Sequence, residues 1–289
     1  MYSCHILELW GVEVTDTADF EIMERQGWAD PSIAKGYADG FEMATRLAAR
    51  KLADEVAAGP NCKALDLCTG HGVVAAELVA RGSDVTGLDF SEPMIELAQS
   101  AVPTARFVQG DAMAMEFPDH TFDAVTIGFG VPHFPDPERG LREVNRVLKP
   151  GGRVAFSIWR GKGSDGAFGW LFDAVERLAD PSISLPAGPD AHMLVDSGIA
   201  KPMVENAGFD NVRLINVASE LCVSDPKMLF DVFVGGAVRA ASLLKRQPKE
   251  RRDAIRADLA TRVQAEANKD IRGYFVPAPS VVITASSQA

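Results

Sequence analysis

The run Leu65-Asp66-Leu67-Cys68-Thr69-Gly70-His71-Gly72 has the make-up of a ligand-binding turn. An apolar stretch ends in Gly70-x-Gly72, where bare backbone can approach a ligand that a side chain would repel. The residues that follow read as a helix from Val73, and the first N–H groups of a helix lack internal partners and favour a carboxylate or phosphate. Asp89 comes 19 residues after Gly70, closing the next apolar stretch, where a carboxylate can accept hydrogen bonds from ribose hydroxyls. Two kinds of ligand satisfy this pattern. Gly70-x-Gly72-x-x-Ala75 also fits the dinucleotide fingerprint, which alone is weak. A dinucleotide brings a pyrophosphate; S-adenosylmethionine brings a carboxylate, an ammonium and a sulfonium. A carboxylate at Asp66, next to the glycines, suits the cationic ligand and opposes the pyrophosphate.

These residues need elements to hold them. Short apolar strands are expected at 63–68, 84–89, 106–109, 122–127 and 153–159, with helices at 73–80, from the Ser91 cap to 100, and at 136–148. Strand and helix alternating at this spacing imply βαβ units and a mainly parallel sheet. Residues 31–58 repeat apolar positions at helical spacing and read as one or two helices. Past Gly161 the alternation loosens. Helices are expected at 167–178 and 200–206, a strand at 212–221, a mostly helical stretch over 226–269 divided by Pro248, and a β-branched strand at 280–284. The division expected is a helical lid over 1–58, a ligand-binding core over 59–160, and a remainder over 161–289 with a helical substrate cap at about 225–270.

Composition limits the partners. Lys plus Arg total 29 against 40 Asp plus Glu, a formal charge of −11, which repels a phosphate backbone. Cys4, Cys62, Cys68 and Cys222 form no C-x-x-C and no cluster with histidine, so neither a metal nor a disulfide framework is expected. No basic region followed by a long apolar run opens the chain, and no stretch approaches membrane-spanning length. The expectation is a cytoplasmic protein with a small-molecule partner, no nucleic acid and no membrane, with a homodimer left open.

Asp66 to Gly72 resembles the first motif of class I S-adenosylmethionine-dependent methyltransferases. Gly87-Leu88-Asp89-Phe90-Ser91 resembles their second motif, Gln109-Gly110-Asp111-Ala112 the third, and Phe122-Asp123-Ala124-Val125 with the Val144 to Gly152 run the fourth strand and the turn into the fifth. The set covers residues 62–160 and is most similar to the ubiquinone/menaquinone C-methyltransferase-like branch and its natural-product relatives. Cys68 stands where many members carry glycine. The resemblance implies a Rossmann-like, doubly wound α/β fold with a mainly parallel seven-stranded sheet, an antiparallel last strand and a helical cap. It implies S-adenosylmethionine as cofactor, with Tyr37, Asp66, Cys68, Thr69, Gly70, Gly72, Asp89, Phe90, Met94, Asp111, Ala112 and Phe129 in its site.

Methyl transfer from a sulfonium is an in-line displacement that needs alignment and exclusion of water. The acceptor is expected beyond the fourth strand, beside His133, Phe134, Phe168 and Trp170. His133 is the candidate general base, weighed against a histidine that merely packs beneath the cofactor. His71 reads as loop-shaping, Asp123 as structural, and His192 as the weakest candidate. A nicotinamide-dependent oxidoreductase is the competing enzyme class, yet none of Tyr2, Tyr37 and Tyr274 has lysine four residues later. A non-catalytic adenosyl-binding protein is the third reading.

Overall fold

The computed structural model describes residues 17–288; the readings placed on residues 1–16, Cys4 among them, lie outside that span. Two helices lead in, α1 (Ala18–Trp28) and α2 (Pro31–Glu55). Asp30 starts α2 by accepting the Ser32 N–H at 2.8 Å, and Pro31 sits where a helix needs no N–H. The alternation follows: β1 (Lys63–Leu67), α3 (Val73–Ala80), β2 (Asp84–Asp89), α4 (Glu92–Ala101), β3 (Arg106–Gln109), β4 (Phe122–Ile127), α5 (Pro137–Val147) and β5 (Leu148–Trp159). Next come α6 (Ala167–Leu178), α7 (Ser197–Asn206), β6 (Phe209–Val217), β7 (Glu220–Val223), α8 (Met228–Gly236), α9 (Val238–Arg246), α10 (Lys249–Glu266), β8 (Asn268–Asp270), β9 (Gly273–Pro277) and β10 (Ser280–Ser287).

Seven strands form one sheet in the order β3-β2-β1-β4-β5-β10-β6. The pairings from β3 to β5 are parallel, and β10 runs antiparallel to both β5 and β6. This is the Rossmann-like fold with an antiparallel last strand. Strand alternation divides the core into two layers, because successive side chains leave opposite faces. Ala64, Ala124 and Val282 face α2 and α3 with Leu52, Val74 and Leu78. Leu65, Leu67, Val125, Phe156 and Ile283 pack instead with Leu141, Val144 and Val204 of α5 and α7.

Three sequence expectations change in the second half. The strand expected over 212–221 is two strands in different sheets, parted at Ala218 and Ser219. The long helical stretch is three helices, with Pro248 at the start of α10. A second sheet, β7-β9-β8, was not foreseen. An aromatic core joins this part to α2, with Phe41, Trp159, Trp170 and Phe233 all buried. At the crossing of α2 and α8 the backbones nearly touch: a Cβ on Gly36 would lie 2.1 Å from the Gly235 carbonyl oxygen.

Candidate active site

The sheet order reverses between β1 and β4, and at such a switch point the loops beyond the strand ends part to leave a crevice. A cleft of about 1010 Å³, open solvent at its mouth included, lies there. Its lining includes Cys68, Thr69, Gly70 and His71 after β1, Asp89 and Phe90 after β2, Asp111 and Ala112 after β3, and Phe129, His133 and Phe134 after β4. Tyr37 of α2 and Met94 of α4 complete the sequence-expected residues found together. Gly70 has φ +54°, and a Cβ there would meet nothing within 4 Å, so its backbone is open toward the cleft.

Four expected residues fall elsewhere. Asp66 is fully buried and absent from the lining. It shares the sheet face of Ala64 and so points beneath α3, where Oδ2 accepts the Thr69 hydroxyl at 2.6 Å and the Ala75 N–H at 3.0 Å. Oδ1 accepts the Thr126 hydroxyl at 3.0 Å from β4. Asp66 therefore braces the loop from behind, which removes the electrostatic preference first assigned to it. Gly72 also faces away, since a Cβ there would meet Ala98 of α4 at 3.2 Å. Phe168 and Trp170 belong to the aromatic core, where Phe168 stacks on Trp159 at 5.0 Å. Phe129 belongs both to that core and to the cleft lining, and stacks on Trp159 with centroids 3.7 Å apart.

The charge preference survives by another route. Glu21, Glu24, Asp89 and Asp111 line the cleft, against Arg25 as the one Lys or Arg in its lining. Asp89 is buried, and its Oδ2 accepts the Gly70 N–H at 2.9 Å while Oδ1 accepts the Ser91 N–H at 2.9 Å. Burial pushes its carboxyl above the ordinary range despite these bonds. Asp111 Oδ1 accepts the Met113 N–H at 2.8 Å, and Oδ2 meets the Arg25 guanidinium at 2.7 Å. Both partners of that pair are partly exposed, so it holds the last turn of α1 over the cleft by only about 0.2–1 kcal/mol.

Burial raises the Cys68 thiol, and the charges of Asp89, Asp66 and Asp111 raise it further; it stays protonated and is no nucleophile. Burial raises the Tyr37 phenol too and lowers the His71 imidazole, so both are neutral near pH 7. His71 holds both ring nitrogens buried without a hydrogen-bond partner, edge-on to Tyr37 at 5.9 Å. It lines the cleft, where a loop-shaping or incidental role was expected. Asp123 is structural, accepting the Lys63 N–H at 2.9 Å and pairing Lys149 at 2.7 Å. His192 bonds the Trp159 carbonyl at 2.9 Å outside the cleft. No group of three or more metal-binding side chains occurs among the described residues.

Glu24 and Arg25 were not picked out by the sequence. The available signal was the i, i+4, i+8 spacing of Phe20, Glu24 and Trp28, which places a carboxylate on the buried face of α1. Glu24 Oε2 lies 2.8 Å from His133 Nδ1 and 3.2 Å from the Trp28 indole nitrogen. Trp28 also walls the cleft.

The buried Asp66 has a consequence for stability. Burial pushes its carboxyl up to about 7, outweighing the hydrogen bonds from Thr69, Thr126 and Ala75. The folded state keeps a proton that the unfolded chain releases near pH 4, so wild-type stability falls as pH rises from about 4 to about 7. Asp66→Asn has no such proton to lose. Unfolding midpoints in denaturant should therefore show the wild type losing up to a few kcal/mol relative to the variant across that window; parallel curves would refute the assignment.

Residues 65–156 match a family described as a methyltransferase domain. Over 105 residues the chain is 44% identical to the demethylmenaquinone methyltransferase of Lysinibacillus sphaericus, covering 34% of this chain and 45% of that one. Over 98 residues it is 46% identical to the demethylmenaquinone methyltransferase of Staphylococcus aureus, covering 32% and 41%. The chain thus spans less than half the length of either relative. It is also similar to the solved structure of phosphoethanolamine N-methyltransferase 2 of Haemonchus contortus in complex with S-adenosyl-L-methionine, with a TM-score of 0.57 and 16% identity over 96% of this chain and 61% of that one. At that identity the likeness establishes the fold alone. The matched stretch, β1 to β5, is thus similar to a methyltransferase domain and lies on a Rossmann-like sheet. Over that stretch the chain is similar to the demethylmenaquinone methyltransferases.

Proposed function

We propose that the protein transfers a methyl group from S-adenosylmethionine to a small molecule. The observation that carries this reading is the convergence of Gly70, Asp89 and Asp111, from three successive strand ends, on one acid-lined cleft. Asp89 retains a lone pair on each oxygen for ribose hydroxyls, and Asp111 with the Ala112 N–H faces the adenine end. The unpartnered His71 nitrogens and open Gly70 backbone suit the amino-acid portion. Bound there, S-adenosylmethionine supplies an electrophilic methyl group. Tyr37 and Phe129 wall the reaction volume and exclude water, while His133 and Phe134 stand on the acceptor side.

The acidic lining disfavours a pyrophosphate, and with it the nicotinamide reading. The acceptor enters between α1 and the loop after β4, under a lid formed by α1 and α2 and a cap formed by residues 225–270. No helix among the described residues is long and apolar enough to cross a membrane, and a cytoplasmic small-molecule enzyme fits the acidic surface. Calorimetry with S-adenosylhomocysteine and, separately, NADH tests the reading. S-adenosylhomocysteine should bind and NADH should not; binding of NADH alone overturns it.

A further inference from the structure

We propose that Glu24 is a positioning residue that sets His133 as the base taking a proton from an acceptor hydroxyl, which makes the acceptors phenols, enols or hydroquinols. This deepens the methyltransferase reading and rests on it.

Glu24 sits in the cleft lining with its side chain 2% exposed. Its Oε2 faces His133 Nδ1 at 2.8 Å and the Trp28 indole nitrogen at 3.2 Å, while the indole nitrogen lies 3.4 Å from Nδ1. A carboxylate only accepts and an indole N–H only donates. The consistent arrangement has Nδ1–H donating to Glu24 and the indole hydrogen turned to the nearer carboxylate oxygen. The imidazole lone pair is then on Nε2, which takes no hydrogen bond from any described residue. Trp28 also packs edge-on against the imidazole, at 5.3 Å and 87°, and fixes the plane of the ring.

Glu24 Oε1 is the second observation. It is buried, has no hydrogen-bond partner, and belongs to a residue that lines the cleft beside His133. An unsatisfied buried acceptor costs about 1–3 kcal/mol, more when charged, and a second polar hydrogen of a bound ligand, distinct from the one passed to Nε2, would relieve that cost. A buried carboxylate is also expensive without a cation. Protonation of His133 supplies one, so the pair is stabilised as the proton arrives, which is when a base needs help.

The step balances as follows. The acceptor O–H bond breaks, its proton passes to His133 Nε2 and its electron pair stays on the acceptor. The acceptor forms the bond to the methyl carbon while the carbon–sulfur pair leaves on sulfur, and the imidazolium later releases its proton to water. A neutral amine attacks with a lone pair it already has and gains little from this arrangement. A carboxylate acceptor is repelled by Glu21, Glu24, Asp89 and Asp111.

Nitrogen-15 NMR of the histidine-labelled full chain bound to S-adenosylhomocysteine reads the tautomer directly. Rates of S-adenosylhomocysteine release with 1-naphthol, 1,4-naphthohydroquinone, aniline and benzoate read the acceptor class. His133 should be the Nδ1–H tautomer in the wild type. Glu24→Gln should lose that preference and lower kcat by about 10²–10⁴-fold on the phenolic probes, with S-adenosylhomocysteine affinity unchanged. An Nε2–H tautomer in the wild type, wild-type kcat in Glu24→Gln, or turnover of aniline alone overturns the proposal. Should no probe turn over, the tautomer decides. Failure of the wild type to bind S-adenosylhomocysteine would instead overturn the methyltransferase reading itself.

Discussion

Asp89→Ala should lower the affinity for S-adenosylhomocysteine by at least about a hundredfold. The carboxylate is one of the most heavily committed groups in the cleft. It receives the Gly70 N–H in the glycine turn and the Ser91 N–H at the start of α4, each at 2.9 Å. Hydrogen bonds to a charged group contribute about 1.5–3 kcal/mol each, and two ribose hydroxyls would add bonds of that kind. Losing only these gives about 3 kcal/mol or more, a factor of a hundred upward. The variant also leaves the buried Ser91 N–H and the partly buried Gly70 N–H without this acceptor, so the turn itself loosens. Asp89→Asn should recover only part of the loss, because an amide keeps one accepting oxygen and turns a donor toward the other N–H. Calorimetry on both variants, with circular dichroism to verify folding, gives the answer. Wild-type affinity in Asp89→Ala would place the ribose elsewhere.

Gly36→Ala should destabilise the protein far more than an exposed alanine substitution does. The new Cβ would lie 2.1 Å from the Gly235 carbonyl oxygen and 2.6 Å from its carbon. A backbone carbonyl inside a helix cannot swing aside as a side-chain tip can, so α2 and α8 must separate. Overpacking of this kind costs typically 1–3 kcal/mol and sometimes more, which corresponds to a fall of roughly 2–5 °C in Tm for a chain of this size. Tyr37 follows Gly36 in the same turn, so the displaced helix also moves a wall of the cleft. Gly235→Ala is the internal control, because a Cβ there meets nothing within 4 Å. That variant should unfold at or slightly above the wild-type temperature. Equal Tm values for the two variants would show that the helices do not meet in this way.

The core was legible because two independent signals agree over residues 62–160. Apolar runs alternate with helical spacing, and the turn residues fall where such a sheet needs them, as Gly70 and the Ser91 cap illustrate. What a linear pattern cannot tell is the direction a side chain takes from a fully buried strand. Asp66 is flanked by apolar neighbours, both faces of β1 are covered, and the sequence gives no exposed side against which to judge. Its pairing opposite Thr126, which turns it into a brace, depends on register across β4. Phe168 and Trp170 were misplaced for a similar reason, since aromatic residues near a site serve equally as wall or as core. Glu24 was overlooked because α1 is short and polar, so little apolar periodicity marks it. The second sheet was hidden because β8 is exposed along its whole length and β7 begins only two residues after β6 ends.

Cys68 occupies a left-handed position, φ +54°, that favours glycine. Its side chain fills the space that a Cβ on Gly130 would need: that carbon would fall 2.5 Å from Cys68 Cβ and 2.7 Å from its sulfur. Gly130 itself has an ordinary helical backbone, φ −80° and ψ −35°, open to any residue. The two loops thus share room for one side chain between them, and the order of evolutionary steps matters. Ile127 Cγ2 would lie 2.8 Å from the same carbon, so a lineage that enlarges residue 130 must first give up the side chain at 68 and then let Ile127 shift; cysteine at the first position keeps the second small.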